Sequence, residues 1–305
     1  MKLKQLDAFL AVAEHRTIRG AARALGVTQP AISSIVRELE QELDVPLVVR
    51  SVKGIALTDY GTAFAIRARL IVEEIQRTRD EIEQLRLGTT GSVSIAVSPT
   101  AALTVLPRAF AAFTRDLPGA TVNVDDALTA TDLARLRDGS LDFIVTHQLS
   151  NAMPDPDEFA SLPLFRTAFA VVAKNRHRLA RARSLRELVD AQWCVPRYGD
   201  GGDDLVRSIF EPFGIDVPKR VVHCPSFAAT LGLVSQTDAL GVFARPLADV
   251  ERKSRGIVVL DLAEPMPALT VAIVMRRHAL LTPAALHFIE CLKVASAAVT
   301  GTDAA

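Results

Sequence analysis

Along the first 57 residues apolar side chains recur three times at helical spacing, and then the spacing changes. Leu3, Leu6, Phe9, Leu10 and Ala13 lie three or four residues apart, which predicts a first helix with one apolar stripe. Thr17 can cap a second helix, in which Ile18, Ala21, Ala22 and Leu25 fall at i, i+3, i+4 and i+7. Gly26 can take the left-handed conformation that ends it, with Val27 expected to tuck back against the core. Thr28 opens a third helix whose buried face is expected to carry Ile32, Val36, Leu39 and Leu43, with Pro30 in the first turn, where no N–H is needed. After Pro46 come two short apolar runs, Leu47, Val48, Val49, Arg50 and then Ile55, Ala56, Leu57, about a turn from Ser51 to Gly54. That reads as a hairpin with Lys53 at its tip.

Two helices about a glycine turn, followed by a hairpin, predict a winged helix-turn-helix over residues 1–57. Advancing about 100° per residue from Ile32, the side chains of Pro30, Ser33, Ser34 and Arg37 fall opposite the buried face. Any capped helix carries polar residues outside, so this face alone decides little; the helix, turn, helix and hairpin order gives it meaning. A small polar face can sink into the major groove. There hydroxyls and Gln29 can meet base edges and Arg37 can meet phosphate, so Thr28, Gln29, Pro30, Ser33, Ser34, Arg37, Arg50 and Lys53 are the candidate DNA contacts.

Residues 58–88 read as one linking helix capped by Thr58. Phe64, Ala68, Ile71, Ile75, Thr78, Ile82 and Leu85 alternate spacings of four and three, a heptad seam that predicts pairing with a second copy. An amphipathic helix lying on its own domain would show the same pattern. Gly88 and Gly91 break the helix, and from residue 89 to 305 short strands alternate with helices. Strands are predicted at 92–97, about Val122 and Val124, and at 142–146; Leu103, Leu106, Phe110 and Phe113 read as one helical stripe, and Leu133 and Leu136 as part of another. A second set begins at 169–173, with strands at 192–195, 220–224 and 240–243 and helices from Ser184, Asp203 and Ser226. Two α/β lobes with mostly parallel strands follow.

Ligands of open α/β sheets sit at the carboxyl ends of strands. Ser98, Thr100, Thr129, His147, Gln148, Tyr198, Ser226 and Phe227 occupy such positions and are the candidate effector contacts. Each hydroxyl can equally be an N-cap, since one residue can do both. Converging helix N-termini and Arg197 favour an anion, while Asp200, Asp203 and Asp204 oppose one. Those aspartates lack the alternation and the bidentate glutamate of a calcium loop.

Composition narrows the class. The chain has 305 residues, 49% of them hydrophobic, enough for several packed domains. Formal charge is zero, and the first 57 residues carry eight Lys/Arg against six Asp/Glu, so charge by itself would not suggest nucleic acid. Cys194, Cys224 and Cys291 are far apart, without a CxxC pair or a histidine read at metal-ligand spacing, so neither a metal nor another cofactor is expected and a reducing cytoplasm fits. Asp7 and Glu14 interrupt the apolar start, against an export signal, and no apolar run is long enough to span a membrane. GxSxG, HExxH, P-loop and GxGxxG patterns do not occur, so an enzyme is not expected, and an exported solute-binding protein would need the missing signal.

The segment from Leu6 to Gly61, with Ala21, Ala22, Leu25, Val27, Gln29, Pro30, Ala31, Ser33, Leu39, Glu40, Leu43, Pro46, Leu47, Arg50, Leu57, Thr58 and Gly61 in register, closely resembles the LysR-type regulators. The rest of the chain resembles them in the order of its elements. One departure is that many members carry a long polar side chain where this chain has Ser34, and a polar one where it has Ile35. The resemblance implies an α+β multidomain chain: winged helix-turn-helix, long linker helix, and a two-lobed α/β effector domain like a periplasmic binding protein. Lobe I would span about 91–163 and 266–300 and lobe II about 164–265, the chain crossing back near Glu264. It further implies a homodimer or dimer of dimers on an imperfect palindrome of double-stranded DNA, a small organic or aromatic acid as effector, and RNA polymerase as partner if the protein activates.

Overall fold

The computed structural model describes residues 1–51, 54–127, 129–149, 155–195 and 204–300, with the backbone alone at Arg50, Ser51, Thr129, Ala130, Leu149, Asp204 and Thr300. Three helices, α1 (Leu3–His15), α2 (Ile18–Ala24) and α3 (Gln29–Leu43), precede a hairpin of β1 (Val48–Ser51) and β2 (Gly54–Leu57). Ala8, Ala11, Val12, Ala21, Ala22, Ile32, Val36 and Ile55 pack into one core between them. The alanines matter because they let α1 and α2 approach closely. Leu25, Val27 and Leu43, expected in this core, are exposed instead. Val27 N–H still closes the end of α2 by donating to Ala22 O, so the backbone turn forms although the side chain points outward.

Helix α4 (Asp59–Leu87) is about 44 Å long at 1.5 Å per residue. Thr58 caps it by accepting from Gly61 N–H (2.9 Å) and fastens it to the hairpin by donating to Pro46 O (2.7 Å). Gly61 is required there, since a Cβ would lie 2.0 Å from Leu47 O. The first turns of α4 close the small domain: the Phe64 ring meets Phe9 edge-on at 5.0 Å, and Ala68 is fully buried. These two members of the expected seam therefore face their own chain, because the helix must bury its apolar start against α1 before it leaves the domain.

Beyond Gly88 the chain forms two sheets. The first has the order β4-β3-β5-β11-β6, built from β3 (Thr90–Val97), β4 (Gly119–Asp126), β5 (Phe143–Leu149), the first part of β6 (Phe159–Lys174) and β11 (Ala268–Arg276). The second comprises the rest of β6, β7 (Gln192–Val195), β8 (Val221–His223), β9 (Ala239–Ala244) and β10 (Ile257–Val259). Strand β6 passes from one to the other, pairing with β11 through Ala168 and with β9 from Phe169 onward. Strands β3 and β5 run parallel, whereas β11 is antiparallel to both β5 and β6, so each sheet is mixed.

Helices α5 (Pro99–Thr104), α6 (Leu106–Asp116), α7 (Thr129–Arg137) and α11 (Pro283–Thr300) flank the first sheet; α8 (Asp204–Phe210), α9 (Phe227–Gln236) and α10 (Arg245–Arg255) flank the second. The predicted single stripe Leu103, Leu106, Phe110, Phe113 is two helices, because the chain restarts at Val105 with Pro107 in the new first turn. That break shifts the phase: Ala109 and Phe113 are buried, while Leu103 and Phe110 are exposed. The segment from Ser184 is a single 3-10 turn, Leu185–Leu188, and α10 was not anticipated.

Candidate functional site

Helix α3 starts at Gln29 with Thr28 as N-cap and Pro30 in its first turn. Ile32, Val36 and Leu39 fix one side in the core, which rotates Gln29, Pro30, Ser34 and Arg37 into solvent and leaves Ser33 half-buried at the edge. Ser34 Oγ donates to Glu38 Oε1 (3.1 Å), so its hydroxyl is partly engaged along the helix. Glu40 Oε1 accepts from the backbone N–H groups of Leu47 (2.8 Å) and Val48 (3.1 Å), which ties the hairpin to the same helix. Ile55 N–H donates to the carbonyl of Arg16, a residue held at φ 53°, so the hairpin also rests on the turn between α1 and α2. The result is an exposed, mostly polar edge of α3 flanked by a hairpin. Arg50 lies on β1 with only its backbone described, and Lys53 lies outside the described residues.

Topology builds the second site. Strands β3, β4 and β5 share the direction of β6, so their carboxyl ends point toward the second sheet. Strand β9 opposes β6, and β7 and β8 are parallel to β9, so their carboxyl ends point back toward the first. The two sets of strand ends thus face each other about the point where β6 changes sheets, the position at which open α/β sheets hold ligands.

Ser98 follows β3 and caps α5, accepting from Ala101 N–H, with its own N–H donating to Val145 O (2.8 Å). Thr100 is buried beside it. Ser226 caps α9 from the facing side, accepting from Ala229 N–H (3.3 Å), and is exposed. Phe227 packs on Phe243 with ring centroids 5.4 Å apart. His147 stands edge-on to Phe169, 6.3 Å between centroids, at the residue where β6 changes partner. Burial pushes its pKa down to about 4, so the ring is neutral near pH 7. Gln148 Oε1 accepts from Ser161 Oγ (3.0 Å), and its buried Nε2 has no partner among the described residues. Thr129 begins α7 with only its backbone described, and Tyr198 lies outside the described residues, as does Arg197.

Three further groupings were not legible in sequence. Arg77 of α4 reaches the first sheet, pairing with Asp142 Oδ1 (3.0 Å) and donating to Gly139 O, while Arg69 pairs with Asp138 (3.2 Å). Asp142 also accepts from Ser94 N–H (2.8 Å); its burial raises its pKa, and Arg77 opposes that rise. Cys194 and Cys224, far apart in sequence, are brought side by side on β7 and at the end of β8, where burial pushes the Cys194 thiol up. Finally, His287 and Cys291 stand four apart on α11, a spacing the cysteine reading overlooked, and Asp116 joins them. For these the only sequence signal was the i, i+4 pair.

An exposed polar helix on a small helical core, joined by a long helix to two facing α/β lobes, defines a DNA-binding protein with a ligand-sensing domain. Residues 3–62 match the bacterial regulatory helix-turn-helix protein, lysR family, and residues 86–296 match the LysR substrate binding domain. The chain belongs to the LysR family of transcriptional regulators. It is 28% identical over 299 residues to the HTH-type transcriptional regulator GbpR of Azospirillum brasilense, covering 97% of this chain and 87% of that one. It is 31% identical over 291 residues to a probable hydrogen peroxide-inducible genes activator of Streptomyces viridosporus, covering 91% and 88%. In fold it is similar to CbnR, a LysR family transcriptional regulator, with a TM-score of 0.70, 22% identity, and 97% and 99% of the two chains covered. Among the described residues no helix is long and apolar enough to cross a membrane.

Proposed function

We propose that a homodimer, or a dimer of dimers, reads an imperfect DNA palindrome through α3 and that a small molecule between the lobes adjusts this reading. Residues 1–57 serve as the reading domain, 58–88 as the dimer link and 89–305 as the sensor. Thr28, Gln29, Pro30, Ser33 and Ser34 meet base edges, and Arg37, Arg50 and Lys53 meet phosphate or the neighbouring groove. The observation that carries this is the outward polar edge of α3, held by Ile32, Val36 and Leu39 from behind. Ile71, Ile82 and Leu85 are exposed on α4 with Thr78, and with half-buried Ile75 they form the face offered to a second copy. Two-fold symmetry then matches a palindrome, one half-site per copy.

For the effector, a small organic or aromatic acid fits the facing strand ends. Ser98 and Ser226 accept bonds as caps, which leaves each hydroxyl hydrogen free to donate to a ligand. Gln148 Nε2 supplies another donor, Thr100, Thr129 and Tyr198 further hydroxyls, and Phe227 an apolar wall. Neutral His147 contributes shape rather than a charge. Such a ligand acts only if it favours one lobe arrangement over another. In this reading the protein performs no catalysis, works in the cytoplasm, and engages RNA polymerase when it activates.

The test is fluorescence anisotropy against DNA from beside its own gene. Gln29→Ala and Ser33→Ala are expected to weaken specific binding by about 1–3 kcal/mol per lost base contact, roughly fivefold or more, with the fold intact by circular dichroism. Unchanged affinity and unchanged selectivity in both variants would refute the assignment of this helix.

A further inference from the structure

Away from both sites, a set of metal-ligating side chains joins two helices of the first lobe. Helix α6 ends at Asp116, and α11 lies against it, with Phe113 packed on Phe288 (4.7 Å between centroids) and tilted on His287 (5.8 Å). His287 and Cys291 are one turn apart, so both project from the same side of α11. His287 Nε2 lies 3.0 Å from Asp116 Oδ2 and 3.8 Å from Cys291 Sγ. The three donor atoms all lie within 4.8 Å of one another.

A thiol, imidazole and carboxylate also suggest a nucleophile relay, but that needs the carboxylate on one ring nitrogen and the thiol on the other. Here both face Nε2, so the three converge on a point instead of forming a chain. Bonds of about 2.3 Å to sulfur and about 2.0–2.1 Å to nitrogen and oxygen, at tetrahedral angles, set donors roughly 3.3–3.6 Å apart. The observed 3.0 and 3.8 Å differ from this by a few tenths of an ångström. Asp116 is exposed and free to adjust, Phe113 steadies the imidazole, and Cys291 is buried against the helix pair.

We propose that Asp116, His287 and Cys291 form a binding site for one divalent ion of the borderline class to which zinc and cobalt belong. Sulfur with imidazole selects against magnesium and calcium, which take oxygen. On binding, the thiol proton leaves to solvent and the sulfur bonds the ion as thiolate. Three protein donors leave the fourth tetrahedral position to water, on the open side toward Asp116. The ion ties the end of α6 to α11 and so stabilises this lobe by mass action.

The experiment titrates cobalt(II) into the full, reduced, chelator-treated chain and then displaces it with zinc. One equivalent is expected to give a thiolate-to-cobalt charge-transfer band and the visible bands of a tetrahedral ion, with a rise in Tm. Cys291→Ser should lose the charge-transfer band. Asp116→Asn and His287→Gln should each weaken binding at least about tenfold, the loss already seen for outer-shell partners. Because Asp116 and His287 reach the surface, their variants keep the fold, and Cys194→Ser with Cys224→Ser should leave the band intact. No thiolate band in the unaltered protein, or one that survives Cys291→Ser or full-strength binding by His287→Gln, overturns the site. None of these readouts depends on DNA binding.

Discussion

His147 shows what the cleft does to a single side chain. Its ring is held against Phe169 where β6 leaves one sheet for the other, and burial lowers its pKa from 6.5 to about 4. In the unfolded chain it binds a proton below about pH 6.5, so as pH falls from there toward 4 the unfolded state gains a proton the folded state resists. Stability contributed by the neutral ring is therefore complete above pH 6.5 and is lost through that window. Thermal unfolding of the protein and of His147→Gln should diverge between pH 7 and 4, the variant showing the weaker acid loss; parallel curves would contradict the assignment. At this scale the sequence told much about α3, where Ile32, Val36 and Leu39 placed the polar edge. It misplaced Leu25, Val27 and Leu43, since apolar spacing marks a face but not how far along the helix a neighbour extends to cover it.

At the scale of elements, α4 is the connection between reader and sensor, and its charged face carries the attachment. Arg77 and Asp142 are both mostly buried, 11% and 7% exposed at the side chain. Removing one partner of such a pair strands the other charge, at a cost of about 3–5 kcal/mol, whereas replacing both costs much less. Arg77→Ala is expected to lower Tm sharply, with Arg77→Ala plus Asp142→Ala falling short of the sum of the single losses. Additive losses would show the pair to be uncoupled. This latch was illegible in sequence because the partners are 65 positions apart and the heptad pattern drew attention to the apolar side of the same helix. Strand β6 was read only in its second half: Pro163 and a register shift opposite Val271 and Ala272 disguise the first. Helix α10 was missed because only Leu247, Ala248 and Glu251 are buried, too few to set a period.

For the whole molecule, the opposed strand directions bring two sets of strand ends together, and one long helix joins that region to the helix-turn-helix domain. The order of elements made the two lobes readable, while their facing orientation needed the pairing of β6 with both sheets. The grouping of Asp116, His287 and Cys291 escaped because Asp116 and His287 are 171 positions apart. The claim on which the rest stands is that α3 enters the major groove with Ser33 toward the bases. A photoreactive side chain placed at position 33, with a control at position 43 on the far end of the same helix, measures this directly. Irradiation with the palindromic DNA should cross-link position 33 to bases in each half-site and leave position 43 unlinked. Cross-links from position 43 alone, or only to protein, would contradict the account.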